Sequence, residues 1–126
     1  MRTVTAIIVL AVLLLGGSLS ASRYLETTAQ TLGAQIEAVE QSITTEKWDV
    51  AGSELSSAQQ RLEENKTWWT VLLDHQVIDN IAMSMSRLDK YIETHDISLS
   101  LGEVSALKLQ VDNISDTEKF NLQNIL

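Results

Sequence analysis

Residues 25–43 read LETTAQTLGAQIEAVEQSI, and the apolar side chains in this stretch recur at alternating intervals of four and three residues. The positions that follow this spacing are Leu25, Ala29, Leu32, Ile36, Val39 and Ile43. An α-helix has about 3.6 residues per turn, so this spacing places all of these side chains on one face of a helix. The stretch therefore predicts an amphipathic helix whose apolar face must be buried against other elements.

The same helical period continues through the rest of the chain. The second stripe contains Trp48, Ala51, Leu55, Ala58 and Leu62, the third Val71, His75, Ile78, Ile81, Met85, Leu88 and Ile92, and the fourth Leu101, Val104, Leu107, Val111 and Ile114. A last apolar group consists of Phe120, Leu122, Ile125 and Leu126. No stretch alternates with period two long enough to predict a β-strand.

Polar residues between the stripes predict where each helix begins and ends. Serine and threonine hydroxyls cap helix N-termini, and a glutamate three residues later completes a capping box. We therefore expect the second helix to be capped at Thr44 or Thr45, the third at Thr67 after a break over residues 63–67, and two short helices at Ser100 and Ser115. The third helix is expected to end at residues 94–96.

These patterns predict an all-α fold in which three longer and two short helices pack as an antiparallel bundle. Up-and-down packing with short connections is the economical way to bury one apolar stripe per helix. Two alternatives stay open. The first stripe is also compatible with a coiled-coil seam, and residues 48–62 resemble one helix of a tetratricopeptide pair, although no 34-residue repeat is present.

The N-terminal segment carries no charge between Arg2 and Arg23, and residues 4–15 are apolar except for Thr5. A membrane-spanning helix needs about 20 such residues. A signal peptide needs only about 7–15 apolar residues, followed by small residues like those at positions 16–22. Residues 1–22 are therefore interpreted as a transmembrane anchor or a signal peptide, and residues 23–126 as an extracytoplasmic helical bundle domain.

The charge distribution predicts the orientation in the membrane. Arg2 and the α-amine lie on the N-terminal side, whereas the positive charge of Arg23 is offset by Glu26. Positively charged flanks stay in the cytoplasm. The expected location is the cell membrane, with one span and the C-terminal domain outside the cytoplasm; the alternative is secretion after signal cleavage.

The composition excludes several classes of function. The chain has 17 Asp+Glu against 9 Lys+Arg, no Cys and no Pro. This acidic balance argues against nucleic-acid binding. The absence of cysteine excludes disulfides, thiolate metal sites and a cysteine nucleophile. We find no phosphate-binding loop, nucleophile elbow or zinc-protease motif, and so expect neither an enzyme nor a bound cofactor.

The residues whose side chains are best suited to catalysis or ligand binding lie between positions 68 and 79. His75 and Asp79 are one helical turn apart, with Asp74 adjacent, and such a group can hold a metal ion or form an acid–base pair. The other histidine, His95, would lie about 30 Å away on a continuous helix. The more ordinary interpretation is a buried His75 at the core edge, hydrogen-bonded to Asp79.

The adjacent Trp68 and Trp69 are expected at the start of the third helix. They point about 100° apart and so cannot both face the same core line. The pair either binds a ligand or contacts the membrane surface, or one ring covers the core while the other lies across a helix junction.

The segment WWTVLLDHQVIDNI, residues 68–81, is similar to a known family, as are Arg87-Leu88, Tyr91-Ile92, residues 100–107 and the closing NLQNIL. With the N-terminal apolar segment, these residues resemble domain of unknown function (DUF) 4363, a family of small membrane-associated proteins from Firmicutes. The resemblance implies a bacterial, membrane-associated helical protein. It implies no activity.

The expected function is therefore a non-catalytic interaction or accessory subunit that associates with another membrane or envelope protein. The alternative is an extracytoplasmic ligand- or metal-sensing module that uses His75, Asp79 and the tryptophan pair. Because almost no chain precedes the membrane segment, a sensor of this kind would have to pass its signal to a partner.

Overall fold

The computed structural model describes residues 1–125, and it describes the side chains of all of these except Ser22 and residues 115–125. This part of the chain forms four α-helices and contains no β-strand, which confirms the all-α class. The helices are α1 (Arg2–Thr44), α2 (Trp48–Leu72), α3 (His75–Glu93) and α4 (Ile97–Ile125).

The helices form a closed ring in which each one packs against two neighbours. Helix α1 contacts α2 and α4, and α3 contacts the same two helices from the other side. Two hydrogen bonds show that α1 and α2 are antiparallel: Ser42 Oγ donates to Glu54 near the connection, and Tyr24 donates to Asn65 far from it. Connections of only two or three residues between successive helices permit this up-and-down arrangement.

The apolar stripes predicted from the sequence make the core of the bundle. All six residues of the first stripe are buried, as are Ala51, Leu55, Ala58 and Leu62 of α2, Ile78, Ile81, Met85, Leu88 and Ile92 of α3, and Val104, Leu107, Val111 and Ile114 of α4. Trp48 and Leu101 are half-buried at the core edge. The last predicted group, residues 120–126, lies outside the described side chains.

Several predicted helix boundaries are wrong. Thr44 and Thr45 do not cap α2, because their hydroxyls donate back to carbonyls of α1. Thr67 does not begin a helix, because α2 continues to Leu72. The true cap of α3 is Asp74, whose carboxylate accepts a hydrogen bond from the backbone N–H of Gln76 at 3.1 Å.

The two predicted short C-terminal helices are one helix. Helix α4 begins at Ile97, where the Asp96 carboxylate accepts a hydrogen bond from the Leu99 N–H at 2.9 Å. Ser100 is therefore inside α4, and it is buried. The helix also continues without a break through Ser115, the second predicted cap.

Helix α1 extends far beyond the bundle. It is continuous from Arg2 to Thr44, so no break separates residues 1–22 from the first stripe. Residues 1–20 are all exposed, and coverage by the bundle begins at Ala21. By length and composition, this apolar helix is able to cross a membrane. The exposed apolar part of α1 thus projects from one end of the four-helix bundle.

Candidate functional site

The tryptophan pair lies in the last turns of α2, not at the start of α3 as predicted. Trp69 points into the core and is only 1% exposed, whereas Trp68 is 64% exposed. The angle of about 100° between neighbouring helix positions explains this difference. The two rings therefore do not form a common binding surface. Trp69 extends the α2 stripe beyond Leu62, and Trp68 faces outward.

His75 and Asp79 are brought together, as their spacing predicts. His75 Nε2 lies 3.4 Å from Asp79 Oδ2 on the first turns of α3. The expected burial of His75 is wrong, however, because its side chain is 67% exposed. His75 is the first residue of α3, and the preceding member of the predicted stripe, Val71, belongs to α2 and is also exposed.

Asp74 is close to this pair in sequence, but it is the N-cap residue of α3. Its carboxylate caps α3 through the Gln76 N–H. Within the described residues, no group of three or more His, Asp or Glu side chains is placed to hold a metal ion. His95 lies in the α3–α4 connection, at the opposite end of α3 from His75. The geometry therefore offers one exposed His–carboxylate pair at the α2–α3 corner.

Sequence reasoning missed a contact at the other end of the bundle. The rings of Trp48 and His95 are stacked, with centroids 4.9 Å apart and planes 2° from parallel. His95 has a left-handed backbone conformation with φ of 56°. This stack joins the first residue of α2 to the α3–α4 connection. The two residues are distant in sequence, and the only local signal was that each was expected next to a helix boundary.

Two ion pairs link α4 to its neighbours. Arg87 Nη2 of α3 lies 2.9 Å from Glu103 Oε1 of α4, and Lys108 Nζ of α4 lies 2.9 Å from Glu40 Oε1 of α1. The hydrogen bond that Arg87 donates to Glu103 raises the pKa of Arg87, and the hydrogen bond that Lys108 donates to Glu40 raises the pKa of Lys108. Both cations are exposed enough for water to screen them, so these pairs align helices more than they stabilise the bundle.

An open groove of about 420 Å³ lies between α1 and α4. Its walls include Ala29, Gly33 and Val111, and Lys108 lies at its edge. The small residues of α1 let α4 approach closely: a Cβ atom added at Gly33 would meet Val111 at 3.8 Å. Among the residues that the structure describes with side chains, Lys108 is the cation that lines this groove, and it is already paired with Glu40. The described walls of the groove thus reflect close helix packing and assemble no reactive centre.

A comparison with known protein families gives one match. The family model described as Domain of unknown function (DUF4363) matches residues 19–125. No curated protein matches the chain, and no solved structure matches it. The match covers the whole bundle, including the segment around His75, and begins close to the point where α1 enters the bundle. The chain therefore belongs to the DUF4363 family.

Proposed function

We propose that the protein is a membrane-anchored helical bundle outside the cytoplasm, and that it serves as a non-catalytic accessory subunit of another membrane or envelope protein. The observation that carries this proposal is the exposed apolar part of α1. Residues 3–22 contain no charge, and residues 1–20 pack against nothing in the described chain. Leaving so many apolar side chains in water is unfavourable, so lipid or an apolar partner is needed to cover them.

The rigid connection between anchor and bundle suits a subunit that holds a fixed position. Helix α1 runs without interruption from the anchor segment into the core. The helix contains no proline and is not interrupted between the two parts. A partner that contacts the anchor would therefore also fix the orientation of the bundle.

The anchor segment has one face on which another helix can approach. Gly16, Gly17, Ser20 and Ala21 lie on adjoining turns of α1. Small residues at this spacing let membrane helices pack closely. Atoms added at Gly16 or Gly17 would meet nothing within 4 Å, so this face is open at the two glycines. It supports association with a transmembrane helix of a partner protein.

The test uses the full-length chain in bacterial membranes. We expect the protein to resist extraction at alkaline pH and to keep its full intact mass. A mature chain that begins between Ala21 and Tyr24 would overturn the anchor. We also expect detergent-solubilised protein to co-purify with one stoichiometric membrane protein. Gly17→Ile should abolish this co-purification, whereas Ala11→Ile, on another face of the same segment, should leave it unchanged.

One observation favours a second candidate, a sensor of ligands or metal ions. His75 and Asp79 are in contact and exposed at the α2–α3 corner, where an incoming ion would find both side chains. Titration of the full-length protein with Zn²⁺ tests this function. Binding that is lost in His75→Ala and kept in His95→Ala would support it, and equal binding by the two variants would refute it.

A further inference from the structure

Toward the anchor end, the charged residues of α1 and of α2 stop at the same height along the bundle. Tyr24 of α1 donates a hydrogen bond to Asn65 of α2, which fixes the relative height of the two antiparallel helices. Arg23 directly precedes Tyr24, and Lys66 directly follows Asn65. These two cations therefore mark one boundary, beyond which both helices continue toward the anchor end without charge.

The uncharged part of α2 has the composition of a membrane-interface segment. Residues 67–73, which we call the α2 end segment, read TWWTVLL. Trp68 and Val71 of this segment are 64% and 75% exposed, while Trp69 is buried in the core. The α2 end segment thus presents a large aromatic and an apolar side chain outward, beside the exposed apolar part of α1.

The heights of these side chains match the edge of a bilayer. Trp68 lies three residues past Asn65, or about 4.5 Å along the helix, and Val71 lies about 9 Å past it. Ser20, the last residue of the continuously exposed part of α1, is about 6 Å from Tyr24 in the same direction. Each head-group layer of a bilayer is about 5–8 Å thick. Counted from the level of Arg23 and Lys66, Trp68 and Val71 lie about 3 Å and 7.5 Å toward the anchor end, so with the two cations at the outer side of the head-group layer both side chains lie within it.

The chemistry of the corner fits the head-group layer and not the hydrocarbon. Tryptophan prefers membrane interfaces, because its ring is apolar while its N–H group still needs a polar partner. Asp74 and His75 lie at the same corner and are exposed. A carboxylate is too costly to bring into hydrocarbon, so Asp74 limits how deep this corner can enter the bilayer.

We propose that the Trp68–Val71 edge of α2 docks on the head groups of the bilayer that α1 spans, as a second contact that sets the tilt of the bundle against the membrane. This inference rests on the proposed anchoring by α1. A single anchor helix leaves the bundle free to tilt, because only one line of contact holds it. A second contact on a neighbouring helix removes this freedom.

The test measures the depth of single spin labels in full-length protein reconstituted into phosphatidylcholine vesicles. The chain has no cysteine, so one introduced cysteine is the only labelling site. Three variants report on three levels: Leu10→Cys in the anchor, Val71→Cys at the α2 end segment, and Val50→Cys at the opposite end of α2. Collision rates with oxygen, which concentrates in lipid, are compared with those of a water-soluble nickel chelate.

We expect the ratio of oxygen to nickel collision rates to be highest at Leu10→Cys, intermediate at Val71→Cys and lowest at Val50→Cys. Adding Trp68→Ser should lower the ratio at Val71→Cys several-fold, toward that at Val50→Cys. The control substitution Met83→Ser, at an exposed residue of α3, should leave it unchanged.

The outcomes separate this inference from the proposed anchor. Equal ratios at Val71→Cys and Val50→Cys, with Leu10→Cys in lipid, would refute the docking and leave the anchor standing. An unchanged ratio after Trp68→Ser would refute it as well. Spectral broadening between Val71→Cys labels of two copies would show that a second copy covers this edge, which also overturns the proposal. A label at Leu10→Cys that is exposed to water would overturn both the docking and the membrane anchor.

Discussion

Replacement of each member of the tryptophan pair by alanine should have very different effects on stability. Trp69→Ala removes a side chain that is 1% exposed and part of the core. Truncation of a buried tryptophan to alanine costs about 3–5 kcal/mol. Trp68 is the same residue type on the same turn, but its ring is 64% exposed. Surface substitutions usually change stability by about 0.5 kcal/mol or less, so Trp68→Ala is a matched control.

Trp69→Phe separates the packing of the ring from its polar group. Among the described residues, no acceptor lies within hydrogen-bonding reach of the Trp69 indole N–H. Leaving such a donor unpaired costs about 1–3 kcal/mol. Phenylalanine lacks the donor but also fills less space, and the two effects oppose each other. We therefore expect Trp69→Phe to cost less than about 2 kcal/mol, well below the cost of Trp69→Ala.

The measurement is urea unfolding of the full-length protein in a nonionic detergent, followed by far-UV circular dichroism. A domain of this size has a free energy of unfolding of about 5–15 kcal/mol, so Trp69→Ala should remove a large share of it. Equal costs for Trp68→Ala and Trp69→Ala would refute the reasoning. That result would mean that α2 does not continue past Thr67 and that Trp69 is not in the core.

Three further predictions concern other contacts. His75→Ala should change the free energy of unfolding by about 0.5 kcal/mol or less, because its side chain is exposed; a loss above about 1 kcal/mol in urea unfolding would contradict this. The pKa of Lys108 is raised above its ordinary value of 10.5 by Glu40, so the pair's contribution is complete below pH 10.5 and is lost as the pH rises through the raised pKa. The difference in melting temperature between wild type and Lys108→Met should therefore be constant from neutral pH up to pH 10.5 and shrink above it. His95→Ala should be about 1 kcal/mol less stable than His95→Gly, because both variants lose the Trp48 stack and only alanine keeps the cost of the left-handed backbone, which glycine adopts freely; equal melting temperatures for these two variants would contradict this account.

The helical stripes could be predicted from sequence because they depend only on local geometry. Leu25, Ile36 and Ile43 share a face in any α-helix, whatever surrounds it. Since that face cannot remain in water, its burial follows as well. The same reasoning found the apolar N-terminal segment and the proximity of His75 and Asp79, which one helical turn brings together.

The helix boundaries could not be predicted in the same way, because they depend on competition between caps. Thr67 is able to cap a helix, yet α2 continues past it, and this continuation carries the large ring of Trp69 into the core. Asp74 then supplies the cap of α3. The contribution of Trp69 depends on helices that lie far away in sequence. The residue pattern around Thr67 therefore does not indicate how much the buried Trp69 ring stabilises the longer helix.

The exposure of His75 and the stack of Trp48 on His95 also depend on tertiary structure. His75 continues an apolar spacing that begins at Val71, but the break at Asp74 separates those two residues onto different helices. Residues 48 and 95 meet only because α1–α2 and α3–α4 place their connections at the same end of the bundle. Periodicity along the chain determined which faces are apolar in this protein. The packing of four antiparallel helices decided where each helix ends and which distant side chains meet, because those choices are set by contacts between helices and not by the spacing within one.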